Sequence, residues 1–446
     1  MDPSPSGFRP GVLHVAQPVD GGVARVVLDL SRAQLAAGLR VAVACPGGAL
    51  ATGLREVGAE VWDWPAGRSP GPGLPGEVRR LVRLLDEVRP DLVHAHSAKA
   101  GLAARLAVRG RVPTVFQPHA WSFEAVGGIT AALAVRWERW GAPWADRVVC
   151  VSAAERATGL RAGVRAAYRV IPNGIDTTRF SPACASPPAF PAPTAPPPPV
   201  GGDRRAGGEA GPAGRPLVVC VGRLCRQKGQ DVLLRAWETV LQTLPQARLA
   251  LVGDGPDREA LRRRAHPSVQ FTGAVADVVP WYRAADLVVL PSRWEGMALV
   301  PLEALGCARP VVLTDVDGAR ESLPQALATH CLVPPADSVA LARVITALLS
   351  DPPLRAALGA QGRRHIVSRH DVRHTAARMA AVYRELLTDA PPRTGRRPTQ
   401  TEHRPAPTDP HTAYTDHRPA QPGRAPAESS GTSRLVPAER RESRDS

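Results

Sequence analysis

Short apolar runs recur along the chain, each followed by a longer stretch whose apolar positions repeat with the period of a helix. VLHVA (12–16) precedes GGVARVVLDLSRAQLAAGLR, which leads into VAVACP. EVRRLVRLLDEVRP leads into DLVHAH, KAGLAARLAVRG into TVFQPHA, and a tryptophan-rich helical stretch over 130–144 into RVVCVSA. Strand runs that are apolar without alternation belong to strands buried on both faces, and strands that alternate with helices form a parallel sheet covered on both sides. The pattern predicts one doubly wound α/β domain over 8–180. A second βα series starts at LVVCVG (217–222), runs through ARLALVG, ADLVVLP and PVVLT, and fills 217–370; a last helical pattern over 371–388 closes it and is expected to pack back on the first domain.

Two segments break the pattern. SPACASPPAFPAPTAPPPPVGGDRRAGGEAGPAGRP (181–216) is a Pro/Gly/Ala linker too poor in large apolar residues to fold, and 389–446 is a Pro/Arg/Thr/Ser tail read as disordered. Two doubly wound domains joined by a linker imply a cleft between the carboxyl ends of their strands, where such sheets bind ligands.

Composition narrows these expectations only slightly. The 446 residues are enough for two domains, no run of about 18 apolar residues appears, and MDPSPSGFRPGVLHVA has no basic region ahead of a long apolar one. A cytoplasmic protein is expected, and the seven scattered cysteines read as buried thiols. The net charge of +15 suits nucleic acid, an anionic membrane or small anions alike, but no nucleic-acid-binding motif accompanies it, and no nucleic-acid partner is expected. Only Lys99 and Lys228 among 56 basic residues are lysines, which marks both as candidates for a compact point charge that an arginine fork does not supply.

Candidate chemistry sits after the predicted strands. Asp20-Gly21-Gly22 opens a helix whose amides are able to face an anion, though a plain tight turn explains it equally. Arg223 and Lys228 occupy a strand-to-helix loop suited to a diphosphate; a solvated basic loop is the alternative. Gly253-Asp254-Gly255-Pro256 is a turn by composition alone, and a nucleobase contact by its backbone is not separable from that reading. In EGMALVPLEALG (295–306), Pro301 fits the first helical position, which places Glu303 in the first turn, ionised and acceptor-only, suited to a ribose diol. Glu295 lies in the loop before it, within reach of what extends beyond the ribose. Alternatively, Glu303 only complements the helix dipole and Glu295 is solvated.

Taken together, these segments resemble the retaining GT-B glycosyltransferases of family 4 over most of residues 8–388. The resemblance rests on GGVARVVLDLSRAQLAAGLRV, HAHSAKAG, PHAWSF, IPNGID, VGRLCRQKG, LVGDGP and above all ADLVVLPSRWEGMALVPLEALGCARPVVLTDVDGARE, whose Glu295 and Glu303 match the family's pair of glutamates. It implies a hexosyl-type transfer from a UDP- or GDP-sugar to a carbohydrate or lipid-linked acceptor, with retention. Arg223 and Lys228 would grip the diphosphate, Glu303 the ribose, and Glu295 with the backbone of Gly296 and Met297 the sugar; His119 falls near the donor sugar, and Gly21, Gly22, Gly253 and Asp254 line the donor site. Where the family often shows two glycines, this chain has Asp317-Gly318.

No acid pair with metal-ligand character stands at a strand end, so no metal and no other cofactor is expected, and leaving-group charge falls to Arg223, Lys228 and helix amides. Two rival readings are an epimerase or phosphorylase on the same architecture and a non-catalytic nucleotide-sugar-binding protein. Basic residues of RRLVRLLDEVR (79–89) with Trp137, Trp140 and Trp144 are candidates for a peripheral contact with the inner face of a membrane; a solvated helix face and a tryptophan-filled core explain them as well.

Overall fold

The computed structural model describes residues 10–182 and 215–388. The expectations for most of the 181–216 insert and for the 389–446 tail lie outside the described residues. Two parallel sheets make the frame. The first takes β1 (Gly11–Ala16), β2 (Arg40–Cys45), β3 (Glu60–Asp63), β4 (Leu92–His96), β5 (Thr114–Gln117), β6 (Arg147–Cys150) and β7 (Tyr168–Val170) in the order β3-β2-β1-β4-β5-β6-β7. The second takes β8 (Leu217–Val221), β9 (Arg248–Val252), β10 (Val269–Gly273), β11 (Leu287–Leu290), β12 (Val311–Thr314) and β13 (Leu332–Val333) in the order β10-β9-β8-β11-β12-β13. In each sheet the order reverses beside the first strand, between β1 and β4 and between β8 and β11, which opens a crevice at the strands' carboxyl ends.

The strands' apolar runs are spent on burial: β1, β4, β5, β8 and β11 are buried along their whole length. Ile175 and Phe180, at the end of the range read as the first domain, pack in the second domain's core. The helix Val372–Thr388 returns to the first, where Met379, Val382, Tyr383 and Leu386 join Val12, Leu92, Val115 and Val149 in one cluster. Glu385 on its outer face pairs with Arg147 and Arg169. Among the described residues all cysteines are free thiols, and only Cys225 is not fully buried.

One charged pair lies inside the first domain. The Arg105 guanidinium, on the helix Ser97–Val108, bonds Glu138 at 2.7 Å and stands 4.0 Å from the Phe116 ring centroid, and both charged side chains are 1% exposed. Ser122 Oγ donates to the second Glu138 oxygen at 2.8 Å and Arg105 Nε to the Gly101 carbonyl at 2.8 Å, so the buried charges are matched by hydrogen bonds. This pair ties the helix Gly128–Gly141 to the body of the domain.

Candidate active site

Both loops at the second sheet's reversal point carry candidate residues. After β8, a turn of 3₁₀-helix over Arg226–Lys228 ends at Gly229. Gly229 is left-handed (φ 67°), and a Cβ there would fall 2.0 Å from the Pro291 carbonyl oxygen, so glycine is what lets this loop lie against the loop after β11. The close approach brings Lys228 Nζ onto Glu295 Oε1, which also accepts from Ser292 Oγ at 2.7 Å. Arg223 makes no side-chain hydrogen bond or ion pair among the described residues; only its carbonyl is engaged, by Gln230 at 3.0 Å. Nearby Arg68, from the first domain, has its pKa lowered by burial and then by Arg223's charge. Asp20 offsets part of this charge, and the two cations together leave a spot suited to an anion. Nothing in the sequence around Arg68 marks it, because it sits in an irregular loop.

The first domain closes over this loop. A Cβ on Gly296 would lie 2.9 Å from Glu155 Oε1 and 3.0 Å from the His119 carbonyl carbon, so a side chain there would wedge the domains apart. Ser152 Oγ donates to the Gly296 carbonyl at 2.9 Å and Asn173 Nδ2 to the Met297 carbonyl at 2.8 Å. Glu321 accepts from the amides of Ala153 and Ala154, at 2.7 and 2.9 Å, and Asp317 accepts from Thr158 Oγ1 at 2.6 Å. Asp317 therefore faces a first-domain hydroxyl, while still lining, with Ser292, Glu295, Pro301 and Thr314, a small crevice beside Glu295. Carboxyls crowd here. Glu155, which accepts from the Ala120 and Val151 amides, is pushed up to about 8 by burial, and Glu124 to about 7 for the same reason, with Asp317 and Glu295 adding to it.

Other candidates are placed as follows. Gly21 and Gly22 start the helix Gly21–Ala36, whose flanking Asp20 makes no cap bond, and Gly22 faces Leu299 of the second domain. Gly253 bridges to Gly273, and Asp254 turns its carboxylate to the Gly255 amide and Arg258, so its side chain serves the turn. Lys99 is spent within the first domain, bonding Glu77 at 2.6 Å and the Ser69 carbonyl at 3.2 Å, and does not share Lys228's surroundings.

Glu303 departs from expectation. Its helix runs Leu299–Gly306, so Pro301 is the third helical residue and Glu303 lies in the second turn. The earlier start is permitted because a proline inside the first turn gives up an N–H that has no intrahelical partner. Glu303 is buried, accepts from Tyr282 Oη at 2.7 Å, and is pushed up to about 7 by burial, only partly offset by the Tyr282 hydrogen bond; it is not held ionised by the helix end. A stability effect follows. An ordinary glutamate titrates near 4.5, so between that value and about 7 the folded state holds a proton that the unfolded chain has lost. Stability should fall as pH rises through this window, by up to about 1.4 kcal/mol per unit. Glu303→Gln is expected to flatten that slope in urea titrations at pH 5, 6, 7 and 8; an unchanged slope would show that Glu303 is ionised throughout.

His119 (φ 58°) is at the head of a buried chain of side chains that sequence reasoning did not assemble. His119 Nε2 lies 3.2 Å from His96 Nδ1, His96 Nε2 lies 3.0 Å from His14 Nδ1, and His14 Nε2 lies 2.7 Å from Gln34 Oε1. Gln34 Nε2 lies 3.2 Å from Tyr383 Oη, itself 2.6 Å from His94 Nδ1. The available signal was a histidine inside the apolar runs VLHVA and LVHAH.

The chain is similar to known proteins along most of its length. Residues 20–179 match the family described as Glycosyltransferase Family 4, and residues 215–351 the one described as Glycosyl transferases group 1. A GDP-mannose-dependent alpha-(1-6)-phosphatidylinositol monomannoside mannosyltransferase of Mycobacterium tuberculosis is 31% identical over 70% of this chain and 79% of its own. Its Mycolicibacterium smegmatis counterpart is 35% identical over 53% of this chain and 61% of its own, and a lipopolysaccharide core mannosyltransferase of Rhizobium leguminosarum is 31% identical over 52% and 64%. The chain thus spans a little over three-fifths of the length of these last two relatives. The Anabaena HepE protein, solved with UDP and glucose, superposes with a TM-score of 0.67 at 23% identity, over 84% of this chain and 99% of that one. The two facing parallel-sheet domains are the GT-B fold, and the chain belongs to glycosyltransferase family 4.

Proposed function

We propose that this protein transfers a mannosyl residue from GDP-mannose to a hydroxyl of a lipid-linked glycan, with retention and without a metal ion. The carrying observation is the Lys228–Glu295 pair at the β8/β11 reversal, with the unneutralised Arg223 beside it: cations for a diphosphate and a carboxylate for sugar hydroxyls. Glu303, on the helix that follows and with its pKa pushed up to about 7, is the candidate for the ribose. The relatives named as GDP-mannose-dependent favour that donor over a UDP-sugar. The carboxylates that line the crevice are engaged, Glu295 by Lys228 and Ser292 and Asp317 by Thr158, so neither serves as nucleophile or base. The departing phosphate oxygen is then the acceptor hydroxyl's proton acceptor.

A lipid acceptor is supported by the helix Gly128–Gly141, where Ile129 is 82%, Leu133 62% and Trp140 59% exposed, with Arg136 and Arg139 on the surface alongside. Trp140 and Trp144 stack edge to face at 4.5 Å. Apolar and basic side chains on one exposed face suit an anionic membrane. No helix among the described residues is long and apolar enough to cross one.

The test is transfer from labelled GDP-mannose, against UDP-glucose and UDP-galactose, to glycolipid in anionic vesicles, with and without EDTA. Labelled lipid product from GDP-mannose in EDTA is expected, and Ile129→Ser/Leu133→Ser should reduce vesicle binding and lipid product while sparing GDP binding. Turnover only with a UDP-sugar would overturn the donor, and loss in EDTA restored by Mg²⁺ the metal-free mechanism.

A further inference from the structure

We infer that Gln34, His14 and His96 are positioning residues that hold His119 as its Nε2–H tautomer, so that His119 Nδ1 meets the bound substrate as a hydrogen-bond acceptor. The inference rests on the reading that substrate binds beside Gly296, against which the His119 backbone stands.

The polarity of the chain follows from its donors and acceptors. Gln34 fixes the polarity, because its amide nitrogen faces the Tyr383 hydroxyl and its oxygen, which only accepts, faces His14 Nε2 at 2.7 Å. His14 Nε2 must therefore carry the proton. A neutral imidazole has one N–H and one lone pair, so His14 Nδ1 accepts, and the donor is His96 Nε2–H at 3.0 Å. His96 Nδ1 then accepts in turn, and the donor is His119 Nε2–H at 3.2 Å. His119 Nδ1 is left with a lone pair and no partner among the described residues. The opposite amide orientation would reverse every donor and acceptor and end in His119 Nδ1–H, but 2.7 Å suits an N–H···O bond at His14 better than N–H···N, and 2.6 Å suits a Tyr383 hydroxyl donating to His94 better than the reverse.

The rings are neutral, as the scheme requires. Burial lowers His14 to about 4 and His119 to about 3, and His94 and His96 well below the ordinary 6.5. Nitrogens of His14, His94 and His96 lie within 4.8 Å of one another, close enough to hold a metal ion. The same tautomers argue against that use: the lone pairs of His14 and His96 accept from the next ring, and that of His94 accepts from Tyr383.

The full-length protein, labelled with ¹⁵N only in histidine, tests this by long-range ¹H–¹⁵N correlation, which distinguishes the two tautomers; single His→Gln variants assign the signals. Wild type is expected to show His14, His96 and His119 as Nε2–H. Gln34→Met removes the oxygen that orders the chain and should move His119 toward Nδ1–H. Gln34→Glu, whose protonated carboxyl keeps one acceptor and one donor, should restore the wild-type pattern. In turnover, Gln34→Met should lower kcat/KM for the sugar donor about tenfold while leaving nucleoside diphosphate affinity unchanged, the cost of one hydrogen bond to the substrate. His119 found as Nδ1–H in wild type, an unchanged His119 in Gln34→Met, or His14, His94 and His96 shifting together on adding Zn²⁺ would each overturn the inference. Correct tautomers in a protein that turns over no sugar nucleotide would sink the proposed function and with it the role of Nδ1.

Discussion

Lys228→Ala is expected to lower nucleoside diphosphate affinity by one to two powers of ten and the rate of transfer by a further factor of about 10²–10³. The first effect is the loss of a charge-assisted contact with the diphosphate, about 1.5–3 kcal/mol. The second is larger because negative charge grows on the leaving phosphate as the glycosidic bond breaks, and a cation fixed there contributes most at that moment. The free protein suffers too: Glu295 loses the ammonium that neutralises it in a region already crowded by Glu124 and Asp317. Lys228→Arg should rescue poorly, since a planar fork does not occupy the place of a compact ammonium between the two loops. Glu295→Gln should part from both, with diphosphate binding nearly intact and the sugar donor weakened. Calorimetry with GDP and with GDP-mannose, alongside single-turnover rates, separates these cases. Wild-type GDP affinity in Lys228→Ala would mean that the phosphates bind elsewhere.

The largest effect on stability should come from a residue remote from the cleft. Arg105→Ala leaves Glu138 charged, buried and facing only Ser122, and should destabilise the first domain by about 3–5 kcal/mol. Removing both charges with residues of similar volume, Arg105→Met/Glu138→Leu, should recover most of that loss, because neither desolvation penalty remains. Tryptophan fluorescence in urea gives the midpoints. The double variant should also keep vesicle binding, since the exposed face of Gly128–Gly141 is untouched; a double variant as unstable as the single one would show that packing on Phe116, not charge, dominates.

What the sequence disclosed follows from how each feature is encoded. Strands buried on both faces leave unbroken apolar runs such as VVCV and LVVL, and both sheets could be read from them. The Arg223, Lys228 and Glu295 loops follow such strands directly, so their meeting at one reversal point was implied by the order of the elements. Glu303 was misplaced by two helical positions because proline is tolerated at several first-turn positions and marks a helix start only to within a residue or two. Rarity drew equal attention to Lys99 and Lys228, but only three-dimensional neighbours decide that Glu77 consumes the first. The histidine chain was beyond reach for the same reason: β1, β4, the loop after β5 and the closing helix each supply a member, and Gln34 and Tyr383 are 349 residues apart.

The helix that returns to the first domain also sets an order on biosynthesis. Val12, Leu92, Val115 and Val149 leave the ribosome early, yet the side chains that cover them, Met379, Val382, Tyr383 and Leu386, are translated only after the whole second sheet. Although domains ordinarily fold in turn as they emerge, the amino-terminal half here carries an uncovered apolar stripe until the second half is complete. The nascent chain is thus a client for holding chaperones, and a gene cut at the Pro-rich insert should yield an amino-terminal fragment that aggregates unless the 372–388 segment is supplied in trans.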